Sequence, residues 1–265
     1  MRRTLGAYPP AGRVLHQALF AKALPRLAVR RIRAADVDGA GALARAIDGI
    51  RGAGIPAAEA EWSDRIEAWR RRFASREGPI SVELPSGECR QLPPRQLAAV
   101  GSIHRPWGVF LMRLASELEP RSCVELGAAI GISTAYQGAA LGLSGRGRLR
   151  TIERVPTLAE LARETLDVLG IDRAEVIEGR FDDVLEDVLA EAAPVDLAYL
   201  DAGKGREHNL RQFERLLPSL APGAVLVMDD IHWSREMRSA WRQIRSHERV
   251  ALSVDLWRLG ACVIR

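Results

Sequence analysis

The chain has 265 residues, 47% of them hydrophobic, and a formal net charge of +4. That length allows one large domain, or one domain with an N-terminal extension, and enough apolar residue for a sizeable core. No apolar run approaches the roughly 20 residues of a membrane-spanning helix, and the dispersed Cys89, Cys123 and Cys262 exclude a CxxC site and read as reduced thiols of a cytoplasmic protein.

The positive charge is almost all arginine, since Lys22 and Lys204 are the only lysines. The first 35 residues carry seven arginines, one lysine and no acid, which reads as a basic, solvated helical arm. His16, Gln17 and Lys22 interrupt the apolar stretch 14–24 and argue against a secretory leader. The basic excess is spread out, without the clustered patch that nucleic-acid binding requires. Residues 1 to about 75 read as helical. Trp62, Ile66, Trp69 and Phe73 recur at helical spacing and form an amphipathic face. Residues 78–95 hold Pro79, Pro85, Gly87, Pro93 and Pro94, the mark of a linker, with a short hairpin around Ser86-Gly87. Residues 1–104 are thus expected to form a helical extension or cap with its linker, and to supply the contact of any homodimer. Residues 105–265 are expected to form the main domain.

From about residue 105 strand and helix patterns alternate. Apolar runs at 122–126, 149–152, 175–177, 195–200 and 224–228 are separated by helical stretches, which predicts βαβ units and a parallel sheet. A last helix over 234–247 leads to two strand-like runs, 250–254 and 260–264, close enough to pair antiparallel. The expected fold is α/β and Rossmann-like, with a mainly parallel seven-stranded sheet ending in an antiparallel hairpin.

Ligands of such sheets bind at the carboxyl ends of the strands. The first strand ends in Glu125-Leu126-Gly127-Ala128-Ala129-Ile130-Gly131-Ile132-Ser133-Thr134, a glycine turn opening a helix. Glycine lets a ligand approach the backbone. The acid Glu125 and the turn suit S-adenosylmethionine, which has no phosphate to cradle. A dinucleotide fingerprint needs glycine at 127, 129 and 132, whereas Ala129 and Ile132 stand at two of them. The second strand ends at Glu153, placed to bind ribose hydroxyls. The third ends before Phe181, Asp182 and Asp183; the first two are candidates to meet adenine, and Asp183 reads as a helix N-cap. The fourth ends at Asp201 and the fifth at Asp229-Asp230. The fourth and fifth strands are neighbours in this topology, so Asp201, Asp229 and Asp230 converge. Three like charges need a neutralising group, and a divalent cation, magnesium by default, would serve.

With these residues the chain resembles S-adenosylmethionine-dependent class I methyltransferases over roughly residues 105 to 265. Within them it is similar to the metal-dependent O-methyltransferases of the catechol and caffeoyl-CoA type and their bacterial relatives. The resemblance implies cofactor binding by Glu125, Gly127, Ala128, Gly131, Ser133, Glu153, Phe181, Asp182 and Asp201. It implies metal ligation by Asp201, Asp229 and Asp230. In Asp201-Ala202-Gly203-Lys204 it implies a catalytic lysine, which as a base needs a depressed pKa, with His232 in reserve. The family commonly has Asp-Asn where this chain has Asp229-Asp230. The implied reaction is methylation of a small-molecule hydroxyl, with Trp107 and Trp233 as candidate walls for the acceptor. A metal-independent N- or C-methyltransferase and a non-catalytic S-adenosylmethionine-binding protein stay open as alternatives. A nucleic-acid methyltransferase is disfavoured, because no Asn/Asp-Pro-Pro-Tyr-like signature follows the fourth strand.

Overall fold

The computed structural model describes residues 26–50, 54–83, 87–201 and 203–265. The basic arm with Lys22, and Ala202 within the acidic-lysine motif, lie outside them. In chain order the elements are α1 (Arg26–Arg33), α2 (Ala40–Asp48), α3 (Ala57–Ala74), β1 (Ile80–Glu83), β2 (Cys89–Leu92), α4 (Pro94–Val100), α5 (Arg105–Leu118) and β3 (Ser122–Leu126). There follow α6 (Ile132–Ser144), β4 (Arg148–Glu153), α7 (Pro156–Leu169), β5 (Ala174–Glu178), α8 (Phe181–Ala192) and β6 (Val195–Leu200). The chain closes with α9 (Arg206–Leu216), β7 (Leu220–Met228), α10 (Arg235–Ile244), β8 (Val250–Asp255) and β9 (Gly260–Ile264).

The main sheet has seven strands in the order β5-β4-β3-β6-β7-β9-β8. The five strands from β5 to β7 are mutually parallel. β9 inserts antiparallel between β7 and β8. The expected sheet is therefore present, including its terminal hairpin. Because β9 reverses between them, β8 runs in the direction of β7. The turn from β8 to β9 consequently stands at the same sheet edge as the carboxyl end of β7. Burial on both faces explains the near-continuous apolar runs of β3, β6 and β9.

Local chemistry sets the element ends. Pro106 and Pro156 sit in the first turns of α5 and α7, where the missing N–H costs nothing. Gly145 and Gly170 close α6 and α7 in the left-handed conformation. Ser234 caps α10, its hydroxyl accepting from the Met237 N–H at 3.0 Å. Asp183 is not a cap: Arg180 holds that position, and Asp182 and Asp183 lie in the first turn of α8, where the helix dipole favours acids.

Two cores flank the sheet. One is built with α8, α9 and α10. The other is built with α5, α6, α7 and the N-terminal helices, running without a break from Val29 to Val263. The amphipathic face of α3 is used within the chain: Ile66, Trp69 and Phe73 are buried. The Trp69 indole N–H donates to Thr165 Oγ1 at 3.0 Å. Arg70 donates to the carbonyls of Ala98 and Ile103 and to the Ser102 hydroxyl, fixing the approach to α5. The proline-rich stretch does form a hairpin, β1 against β2. No helix among the described residues is long and apolar enough to cross a membrane.

Candidate functional site

The glycine turn sits at the carboxyl end of β3, in the middle of the sheet. Gly127 has φ +106°, and a Cβ there would lie 2.4 Å from the Asp201 carbonyl oxygen. Gly131 has φ +80°, and its Cβ would lie 2.9 Å from Ala162 Cα. These two positions admit glycine alone. Ala129 adopts φ +48°, an uncommon conformation for a residue with a side chain. It is held there by Glu153, whose Oε2 accepts the Ala129 N–H at 2.9 Å. Glu153 Oε1 accepts the Val155 N–H, also at 2.9 Å. Burial pushes the Glu153 carboxyl upward, against those two backbone donors. Each oxygen has one further lone pair for a ligand hydroxyl. Ala128 and Ser133 are buried beside the turn.

Glu125 is placed differently from its expected role. It is fully buried, accepting Thr134 Oγ1–H at 2.5 Å on one oxygen and Gln137 Nε2–H at 3.1 Å on the other. Burial pushes its pKa up to about 7, against the hydrogen bond from Thr134. It ties the end of β3 to the start of α6. Asp182 likewise turns to protein partners, Arg215 at 3.1 Å and Arg211 at 4.0 Å. The Phe181 ring is half-buried, 5.9 Å from that of His208. A turn lined by backbone N–H groups and an acid with spare acceptor capacity match a ribose-bearing ligand. The residues present fit S-adenosylmethionine.

The carboxylates after β6 and β7 converge as the topology requires. The neutralising groups are two side-chain cations. Lys204 Nζ lies 2.9 Å from Asp201 Oδ1 and 2.6 Å from Asp230 Oδ2. Arg258, in the turn between β8 and β9, donates from Nε to Asp229 Oδ1 and from a terminal nitrogen to Asp229 Oδ2, both at 2.8 Å. Its Nε is also 3.7 Å from Asp230 Oδ1. Burial disfavours the Lys204 ammonium, but the charges of Asp201, Asp230 and Asp229 outweigh it and raise its pKa. The depressed lysine expected of a base is therefore absent from this arrangement. Asp201 is shifted upward by burial and by Asp229 and Asp230, against the pull of Lys204. Asp229 is also penalised by burial, yet the Arg258 charge and its hydrogen bonds bring the carboxyl below its ordinary range. The Asp201, Asp229 and Asp230 set does not fit a divalent ion as arranged, because both Asp229 oxygens face the guanidinium. Among the described residues no group of three or more His, Cys, Asp or Glu is disposed to hold a metal.

Asp255, Trp257, His104 and Tyr199, none of them singled out in the sequence, complete the site together with His232. His232 Nε2 is 2.8 Å from Asp255 Oδ2, and its ring stacks on Trp257 with centroids 5.1 Å apart. Asp255 Oδ1 accepts the Trp257 N–H at 2.8 Å, and Trp257 has φ +71°. His104, which precedes α5, is shifted downward by burial and by the charges of Arg258 and Arg70. The Tyr199 hydroxyl is buried with no hydrogen-bond partner among the described residues, within reach of the charges of Asp229, Asp201, Arg258 and Glu125. Arg258 and Asp255 could have been found from topology alone, since the terminal hairpin must return beside the fifth parallel strand.

A central glycine turn, acids at successive strand ends and a reversed terminal strand define the class I methyltransferase fold. Residues 124–231 match the family model described as a methyltransferase domain. Over 153 residues the chain is 35% identical to a catechol O-methyltransferase of Mycobacterium tuberculosis, covering 57% of this chain and 64% of that protein. Over 126 residues it is 31% identical to a catechol O-methyltransferase of Niastella koreensis, covering 47% and 55%. The matches thus span less than two thirds of either relative. The O-methyltransferase of Bacillus cereus, solved with S-adenosylhomocysteine, superposes with a TM-score of 0.55 at 21% identity, covering 82% of this chain and 94% of that one. The chain thus has the class I methyltransferase fold and, over its matched stretch, is similar to the catechol O-methyltransferases.

Proposed function

We propose that the chain transfers a methyl group from S-adenosylmethionine to a hydroxyl oxygen of a small molecule. The observation that carries this reading is the juxtaposition of two groups at one sheet edge. One is Glu153, pinned by Ala129 and Val155 with lone pairs to spare. The other is the partly exposed Lys204 ammonium held between Asp201 and Asp230. When bound, the cofactor supplies a methyl group on a sulfonium, which becomes a neutral thioether once the methyl has left.

The chain's own residues divide the remaining work. Glu153 accepts from the ribose hydroxyls, while Gly127, Ala128, Gly131 and Ser133 bring backbone close to the ligand. Asp201, at the end of β6, bounds the same cradle. Phe181 offers its ring to the adenine. Asp182 is engaged by Arg215 and receives no role here. Lys204, held protonated, is suited to stabilising a developing alkoxide or phenoxide, an electrostatic task rather than proton abstraction. The proton passes to His232. Asp255 accepts Nε2–H and so leaves Nδ1 as the basic nitrogen. Most of the rate comes from alignment, because the displacement is in-line.

The test is calorimetric titration of the full chain with S-adenosylhomocysteine, followed by methyl transfer to a panel of catechols and other vicinal hydroxyls. Binding together with O-methylated product is expected. Absence of S-adenosylhomocysteine binding refutes the proposal. Binding with methylation of amines only would refute the assignment to oxygen.

A further inference from the structure

We propose that Arg258 is the resident cation of this site, standing where a divalent metal would otherwise neutralise the acids. The inference rests on the reading of the strand edge as a methyl-transfer site. It adds that the site assembles and works without a metal ion.

Asp229 is buried at the end of β7. Both of its oxygens receive the two prongs of one guanidinium at 2.8 Å, a planar fork matched to a carboxylate. Oδ1 also accepts the Asp230 N–H at 2.7 Å. Three carboxylates therefore meet two fixed cations, Lys204 and Arg258. A divalent ion ligated by Asp229 would have to displace Arg258. That guanidinium has little solvent access, with 11% of the side chain exposed, and would lose its partner inside the protein.

The arginine is also held from behind. Its carbonyl accepts the Ile231 N–H at 3.0 Å, and its own N–H donates to the Leu256 carbonyl at 2.9 Å. The preceding Trp257 is locked at positive φ by Asp255 and by stacking on His232. The hairpin turn is thus fastened to the loop that carries Asp230. Arg258 acts through Asp229 and Asp230, so it is a positioning residue.

The experiment uses the full chain and manganese as the probe, with free Mn2+ followed by electron paramagnetic resonance. S-adenosylhomocysteine affinity is measured in parallel with and without EDTA. Wild type is expected to bind Mn2+ no tighter than about 1 mM, with S-adenosylhomocysteine affinity unmoved by EDTA. Arg258→Met is expected to gain Mn2+ affinity by about tenfold or more, and adding Asp229→Asn should abolish the gain. Arg258→Lys should restore exclusion of the metal. Micromolar Mn2+ binding by wild type that is lost in Asp229→Asn would overturn the proposal, and needs no Arg258 variant to fold. A folded Arg258→Met that gains no Mn2+ affinity would overturn it too. Loss of S-adenosylhomocysteine binding alone would count against the methyl-transfer reading, and the manganese result would still decide the role of Arg258.

Discussion

Glu125 offers a stability measurement that isolates one buried carboxyl. Its folded pKa is about 7, raised chiefly by burial, against an ordinary value near 4.3 in the unfolded chain. The fold therefore prefers the protonated form. Below about pH 4 the group is protonated in both states and costs nothing; as pH rises through 7 the unfolded chain is favoured by ionisation. The separation of roughly 2.5 units corresponds to about 3 kcal/mol of stability lost by pH 8. Glu125→Gln removes the titration and keeps the contacts. The amide oxygen still accepts from Gln137, and the amide N–H₂ donates to a Thr134 hydroxyl turned the other way. Urea unfolding of wild type and variant at pH 5 and pH 8 gives the answer as a difference of differences, in which other titrating groups cancel. The variant should match wild type within about 1 kcal/mol at pH 5 and exceed it by about 2–3 kcal/mol at pH 8. An equal difference at both pH values would refute the assignment of Glu125 as a neutral structural carboxyl.

Glu153→Ala should weaken S-adenosylhomocysteine binding by about 10- to 100-fold, the worth of charge-assisted hydrogen bonds to the ribose; calorimetry reads it, and unchanged affinity removes Glu153 from the cradle. Gly127→Ala brings a Cβ to 2.4 Å from the Asp201 carbonyl at φ +106°, and thermal unfolding should show a loss of about 2–3 kcal/mol. Lys204→Met should lower kcat by about 100-fold or more while cofactor affinity holds; equal turnover would leave the ammonium without a part in the chemistry. His232→Asn should lower kcat too while cofactor affinity holds, whereas turnover equal to wild type would assign the proton to another group.

The sheet was legible because its signals are local and repeated. Each parallel strand is an apolar run that ends at or near an acid, and the helices between them are long enough to show their period. The short gap between 254 and 260 left antiparallel pairing as the one solution. Strand ends were harder to read: β7 starts at Leu220, opposite Val195, and an irregular stretch without an apolar signature follows before pairing resumes at Val225 opposite Leu197. The helix cap at Asp183 failed for a related reason. An acid in the first turn and an acid at the cap give the same sequence signal, and only the backbone tells them apart.

The site was legible as a set of acids and much less so as a set of pairs. Position after a strand says that Glu125, Glu153, Asp201, Asp229 and Asp230 gather at one edge. It does not say that Glu125 is spent on Thr134 and Gln137 while Glu153 keeps lone pairs for a ligand. That distinction depends on partners nine to twelve residues away on one helix, and on backbone donors in a neighbouring turn. Arg258 was hidden for a compositional reason. In a chain whose 38 basic residues include only two lysines, one more arginine carries no information, whereas Lys204 stands out by rarity. Its placement follows from topology alone. Because β9 runs back beside β7, the residue that turns between β8 and β9 arrives at the carboxyl end of β7, where Asp229 is buried. A buried carboxylate at that end requires a counter-charge, and the returning hairpin is the element able to supply one from the chain itself.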